Sequence, residues 1–204
     1  SLFISGTTML LKEQISQYDS MQSFYDVVIG FPVLKKLGSI EFDWEKNKMN
    51  LKTKSEVAIS SIEPNVYTKS NALYLDVLIN GIDFTGVLDT GSLNLVIDLN
   101  QQFYTENSAN LPINPLLGEK EGMVGVLAFA TPVKNTFLLD PKVEFDSRIL
   151  KLKQGDVSIT WFNNSAEIPV SISLFRYGGM GNKFLERLGN KVTLDFVNMR
   201  INAE

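Results

Sequence analysis

The chain repeats part of itself, and that repeat limits its fold more than any other feature. Ile29-Gly30-Phe31-Pro32-Val33-Leu34-Lys35-Lys36-Leu37-Gly38 is answered by Met180-Gly181-Asn182-Lys183-Phe184-Leu185-Glu186-Arg187-Leu188-Gly189. After one inserted residue, Asp43-Trp44 matches Asp195-Phe196. Each copy reads as a glycine turn and a short helix stopped by a C-terminal glycine. A strand follows, then a turn around Asn47 or Asn198, then a last strand, Met49–Leu51 or Met199–Ile201. Two copies of one supersecondary unit predict two related lobes. The chain then divides into a partial first lobe at 1–54, a linker at 55–71 and a complete lobe at 72–204. The linker reading rests on Glu56 to Ser70, where Ser, Pro64, Asn65 and Lys occur without apolar periodicity.

The elements between the repeats read as strands. Leu73, Leu75, Val77 and Ile79 alternate onto one face, Asn80-Gly81 is a strong two-residue hairpin turn, and Ile82 to Leu88 returns. Further strand candidates are Leu93–Ile97, Val124–Phe129, Lys142–Phe145, Val157–Phe162 and Ile168–Leu174. Long helical periodicity is missing, so the predicted class is all-β. With 204 residues, 44% of them hydrophobic, a sizeable core can be buried.

What the chain lacks narrows its chemistry. It contains no histidine and no cysteine. A Ser-His-Asp triad, a His- or Cys-ligated zinc site, thiol catalysis and disulfides are all excluded. No glycine-rich phosphate loop precedes a helix. The formal net charge is -4 and basic residues are scattered, which argues against a nucleic-acid partner. No apolar run reaches the length of a membrane span. Carboxylates, hydroxyls, Lys and Tyr remain.

Among these, Asp89 stands out. Val87-Leu88-Asp89-Thr90-Gly91-Ser92-Leu93-Asn94-Leu95-Val96-Ile97 brings an apolar strand up to an acid and leaves by a second strand after a Gly-Ser turn. This stretch, the hairpin ahead of it (Tyr74 to Leu88), the elements Val28-Ile29-Gly30 and Gly178-Gly179-Met180-Gly181, and the paired closing strands resemble two-lobed aspartic proteases of the pepsin and retropepsin kind. The similarity spans most of 25–54 and 72–204. Gly179-Met180-Gly181 is richer in glycine than the usual aliphatic pair before the glycine.

The resemblance implies an aspartic-protease-like β-barrel lobe and an aspartic endopeptidase acting on extended peptide or protein substrates. No metal or cofactor is implied. Asp89 takes the place of a catalytic aspartate, and Thr90 ties the two active-site loops together. Gly91 permits the tight turn, and Ser92 hydrogen-bonds the outer carboxylate oxygen. The flap is expected in Glu121-Gly122-Met123-Val124-Gly125-Val126, with Gly122, Met123, Val124 and Gly125 against the substrate. An exported, periplasmic or cell-surface, bacterial protein is implied as well.

The chemistry needs two carboxylates, because the pair shares one proton while activating water and polarising the scissile carbonyl. The sequence has one such motif. The second acid has three possible sources. One is a missing segment upstream of Ser1, since the first lobe's own acid loop is expected about where the chain begins. Another is that Ser1–Leu11 is itself a worn-down loop, Phe3 to Leu11 overlaying Leu88 to Val96 with Ile4 in the acid's place. The third is a homodimer that pairs two copies of Asp89. A catalytically inactive peptide-binding or structural module is the rival reading. Asp43 and Asp195 recur at equal repeat positions, and the simpler assignment for them is turn-capping or solvent-facing residues. Trp44 and Phe196 read as core.

Overall fold

The computed structural model describes residues 10–11, 27–28, 31–69, 72–90, 95–124, 131–162 and 178–204. In chain order the elements are β1 (Leu10–Leu11), β2 (Val27–Val28), α1 (Phe31–Leu34), β3 (Ser39–Asp43), β4 (Lys48–Lys52), β5 (Tyr67–Lys69), β6 (Ala72–Ile79) and β7 (Ile82–Asp89). They continue with β8 (Ile97–Asn100), α2 (Gln101–Asn107), β9 (Lys120–Val124), β10 (Thr131–Phe137), β11 (Val143–Phe145), β12 (Arg148–Ile149) and β13 (Val157–Phe162). The last are β14 (Gly179–Gly181), α3 (Asn182–Leu188), β15 (Lys191–Asp195) and β16 (Arg200–Ala203). The architecture is all-β, as the alternating apolar pattern predicts.

Ten strands form the larger sheet, in the order β12-β11-β6-β7-β14-β8-β13-β10-β9 with β5 beside β6. The β6–β7 hairpin turns at Asn80 and Gly81, both at positive φ (52° and 81°), the pairing a tight hairpin requires. Leu73, Leu75, Val77, Phe84, Leu88, Ile97, Leu99, Val157, Ile159 and Met180 are buried in one core. The segment read as a linker ends in β5, which pairs with β6, so this sheet begins at Tyr67. Two strands extend beyond the expected bounds among the described residues: β8 runs Ile97–Asn100, past the end of Leu93–Ile97, and β9 runs Lys120–Val124, ahead of Val124–Phe129, while residues 93–94 and 125–129 lie outside the described residues. The helix α2 was unmarked in sequence. It starts where the Asn100 side chain accepts the Phe103 N–H at 2.7 Å. Ile168–Leu174 lies outside the described residues.

A second sheet, β16-β15-β3-β4, joins the two repeats. Strand β3 pairs antiparallel with β15, Ser39 opposite Asp195, Glu41 opposite Thr193 and Asp43 opposite Lys191. With Asp43 equated to Asp195, that ladder maps onto itself about the Glu41–Thr193 pair. The flanking pairs agree: Asp43–Lys48 corresponds to Asp195–Arg200, and Ile40–Leu51 to Val192–Ala203. Outside the ladder, the Trp44 N–H donates to the Asn190 carbonyl and the Phe196 N–H to the Gly38 carbonyl, both again equivalent. The repeat is therefore a structural two-fold. At each entry to the sheet the chain crosses its own last strand closely. A Cβ on Gly38 would lie 2.2 Å from the Thr53 carbonyl oxygen, and one on Gly189 2.3 Å from that of Glu204. This contact, rather than helix capping alone, is why both positions are glycine.

Candidate active site

Strand β7 delivers Asp89 as its last residue. Thr90 follows in a turn, and both are half-buried. Gly91 and Ser92 lie outside the described residues. The acid is held from the side by β14, which slots between β7 and β8. It runs parallel to β7, with Gly179 opposite Val87, Met180 opposite Leu88 and Gly181 opposite Asp89. It runs antiparallel to β8, with Met180 opposite Ile97. The Val87 N–H donates to the Gly178 carbonyl and the Gly181 N–H to the Val96 carbonyl, each at 3.2 Å. Asp89 thus leaves a strand fixed on both edges, since β6 pairs with its other side.

The glycine-rich β14 is explained by that insertion. Gly178 has φ +80°, and a Cβ there would sit 2.5 Å from both the Asp98 carbonyl oxygen and the Phe84 ring. Within β7, Gly86 leaves room for Met180, whose sulfur would be 2.7 Å from an added Cβ. Met180 is fully buried, opposite Leu88 and against Gly86. Its glycine neighbours are what allow a third backbone to run between β7 and β8.

The proposed flap residues fall on a hairpin. Gly122, Met123 and Val124 belong to β9, paired with β10 through Gly122–Val133, Pro132–Met123 and Thr131–Val124. Gly125 lies outside the described residues. Strand β9 is the end of the larger sheet.

Sequence reasoning missed Asp98. It lies on β8 opposite Gly179, which in turn lies opposite Val87, so Asp98 shares a sheet face with Val87 and Asp89. The Ser158 hydroxyl donates to its Oδ1 at 2.8 Å and the Thr160 hydroxyl to its Oδ2 at 2.7 Å. Thr160 is also 2.9 Å from the Asn135 side-chain oxygen. The residue as a whole is only partly covered, but protein closes around its carboxylate. Burial pushes its pKa up to about 6, against the hydroxyl hydrogen bonds, which lower it. Asp98 is not a dyad partner for Asp89. Two strand spacings and a two-residue step separate them by on the order of 12 Å, far beyond proton-sharing distance. The signal in sequence was an acid set between Ile97 and Leu99, where an outward residue was due.

Asp43 and Asp195 are turn caps. Asp43 Oδ1 accepts the Lys46 N–H at 3.0 Å, and Asp195 Oδ1 accepts the Val197 and Asn198 N–H groups at 2.9 Å each. Both are buried, so the solvent-facing alternative does not hold. Phe196 is in the core, while Trp44 stacks on Phe42 at 5.3 Å between ring centroids. Among the described residues no acid cluster could hold a metal, and no helix is long and apolar enough to cross a membrane.

No protein-family model and no curated protein matches this sequence. Solved structures similar to it include two proteases. One is a retropepsin-like aspartic protease from Rickettsia conorii, at 14% identity and a TM-score of 0.38, over 60% of this chain and 76% of that one. The other is EIAV protease complexed with the inhibitor HBY-793, at 16% identity and a TM-score of 0.37, over 59% of this chain and 90% of that one. The all-β class stands on the strands themselves.

Proposed function

We propose that this chain is the larger part of a two-lobed aspartic endopeptidase, with Asp89 one of two catalytic carboxylates. The observation that carries the reading is the two-fold sheet β16-β15-β3-β4. In the sequence repeat Gly181 corresponds to Gly30, so the loop of Asp89 beside Gly181 has a second, facing loop as its counterpart. The facing loop is assigned to a further segment rather than to the Ile4 stretch, which carries no carboxylate at that position and lies outside the described residues. A second copy is disfavoured as the donor, because β3 already occupies the edge of β15 that a partner's closing strand would take.

With both acids in place, the ionised carboxylate takes a proton from water while the protonated one polarises the scissile carbonyl. The tetrahedral intermediate collapses as the leaving amine is protonated. Thr90, Gly91 and Ser92 hold the Asp89 side of this pair. The β9–β10 hairpin, with Gly122, Met123, Val124 and Gly125, covers an extended substrate.

The test is cleavage of a denatured protein substrate by the gene product including its upstream sequence. Activity is expected there and is lost in Asp89→Asn, with the melting temperature held or raised. Unchanged cleavage in Asp89→Asn sinks the assignment. The rival reading, a non-catalytic peptide-binding module, is favoured by the single acid motif in the sequence. It becomes the answer if the upstream sequence holds no Asp-Thr/Ser-Gly after an apolar strand.

A further inference from the structure

A carboxylate, a hydroxyl and an amide form a chain of contacts across the larger sheet, from β8 to β9. Asp98 is opposite Ser158 on β13, Thr160 is opposite Asn135 on β10, and Asn135 is opposite Lys120 on β9, two residues from Gly122. Cross-strand partners share a sheet face. All of these residues therefore stand on the face away from Ile97, Leu99 and Ile159. Thr160 is buried, with its hydroxyl oxygen 2.7 Å from Asp98 Oδ2 and 2.9 Å from Asn135 Oδ1. At the other end of the amide, a Cβ on Gly122 would lie 2.5 Å from Asn135 Nδ2, so this end rests against the β9 backbone.

The Thr160 hydroxyl carries one proton and faces two oxygens. An ionised carboxylate and an amide oxygen both only accept, so one of the two contacts would lack a proton. Two arrangements supply it. In the first, Asp98 is neutral: its Oδ2–H donates to Thr160, Thr160 donates to Asn135 Oδ1, and the amide NH2 faces Gly122. Ser158 donates to Asp98 Oδ1 at 2.8 Å in either case. In the second, Asp98 is ionised: Thr160 donates to Oδ2, and the Asn135 amide turns over, so that its NH2 donates to Thr160 and its oxygen faces Gly122. The two ends of an amide fill nearly the same space, so the exchange needs no repacking.

We propose that Asp98, Thr160 and Asn135 are a proton-linked relay that sets which end of the Asn135 amide faces Gly122. Asn135 is thereby a positioning residue for the β9–β10 hairpin. That role rests on the flap reading given above, and the relay itself does not. Among the described residues no charged group competes for the proton. Burial raises the Asp98 pKa, Thr160 and Ser158 lower it, and no neighbouring charge contributes. The residue facing it from β14 is Gly179. Lys120 on β9 lies over the Phe137 ring, 5.2 Å from its centroid. Asp156, just ahead of β13, is paired with Arg187 at 2.6 Å. Asp89 shares the face at on the order of 12 Å. The helix α2 packs on the other face, with Tyr104 against Trp161 and Phe103 against Phe84.

Nuclear magnetic resonance on the 204-residue chain tests this. It follows the Asp98 carboxyl carbon and the Overhauser contacts of the Asn135 amide protons between about pH 4 and 8. The carboxyl carbon is expected to titrate with a midpoint near 6. The amide protons should contact the Gly122 α-protons below that midpoint and Thr160 above it. Thr160→Val breaks the relay: Asp98 still titrates, and the Asn135 contacts no longer change with it. Thr160→Ser restores the coupling. Asp98→Asn, whose amide donates to Thr160 as the neutral acid does, keeps the Asn135 amide protons on Gly122 at every pH. Three results overturn the inference: Asn135 contacts that stay the same while Asp98 titrates, contacts that still switch with pH in Asp98→Asn, or an Asp98 ionised throughout the range. None of these readouts involves cleavage. A coupled switch without activity in the cleavage test above would sink the protease reading and keep the relay. Asp89-dependent cleavage beside an Asn135 amide that never turns would do the reverse.

Discussion

The closing unit β3–β4 and the closing unit β15–β16 have the same ladder register, the same capped turn and the same left-handed residue after the cap, Asn47 at φ 49° and Met199 at φ 51°. They differ in what lies over them. Ile201 is packed beneath Val66 and the larger sheet, and Met49 faces solvent. Local geometry is therefore written into each copy by its own residues, because a two-residue register and an Asp cap act over a few positions. Burial is not written locally. A strand with the right pattern stays exposed until another segment covers it.

The sharpest way to break this comparison is truncation at the equivalent apolar positions. Ile201→Ala should cost about 3–4 kcal/mol, since it leaves a cavity in a packed core. Met49→Ala should stay within about 0.5 kcal/mol, as surface substitutions do. Denaturant melts of the two variants give both values. Similar losses would mean that Met49 is buried in solution and that the two units are covered alike.

A second test uses pH, where the two halves should respond with opposite sign. Asp98 has its pKa raised from 3.8 to about 6. Its folded form holds a proton that the unfolded chain has already lost, so its contribution is full below about pH 4 and fades as pH rises through about 6. The loss is bounded at about 3 kcal/mol by a two-unit shift. Asp98→Asn should remove this slope and gain stability above pH 7. Asp43 lies the other way. The Lys46 backbone N–H holds its carboxylate below its ordinary value of 3.8, so its contribution is present above that value and lost as pH falls through the folded pKa. If Asp98→Asn leaves the slope between pH 4 and 6 unchanged, the enclosed carboxylate is not its source.

Much of this contrast could be read in the residues beforehand, and some could not. The repeat was legible because Leu34-Lys35-Lys36-Leu37-Gly38 and Leu185-Glu186-Arg187-Leu188-Gly189 keep both spacing and residue type. Its single inserted residue before the strand also appears in the ladder register. The Asn80-Gly81 hairpin was legible because both residues adopt positive φ. The β3–β15 pairing was not legible, because nothing local records a partner so distant in sequence. Nor was the slot that β14 takes between β7 and β8. Its glycines look like loop residues until the close approach of Asp98 and Phe84 to Gly178 is seen. Asp89 was legible from its apolar flanks, whereas Asp98 needed its hydroxyl partners on β13, again far along the chain.

The smallest effect separates the two turn caps. Asp195 takes two backbone N–H groups and, at 2.7 Å, the Asn198 side-chain amide; Asp43 takes one backbone N–H and pairs with Lys46 at 3.4 Å, where the lysine is largely solvated. Asn198 also ties its turn to the linker, accepting the Ser60 N–H and donating to the Ala58 carbonyl. Asp195→Ala strands donors in a covered turn and should cost about 1–2 kcal/mol. Asp43→Ala exposes its freed donor more readily to water and should cost less. A larger loss at Asp43 would mean that the first turn is the more enclosed of the two. The open side of the two-fold would then have to be sought somewhere other than along β4.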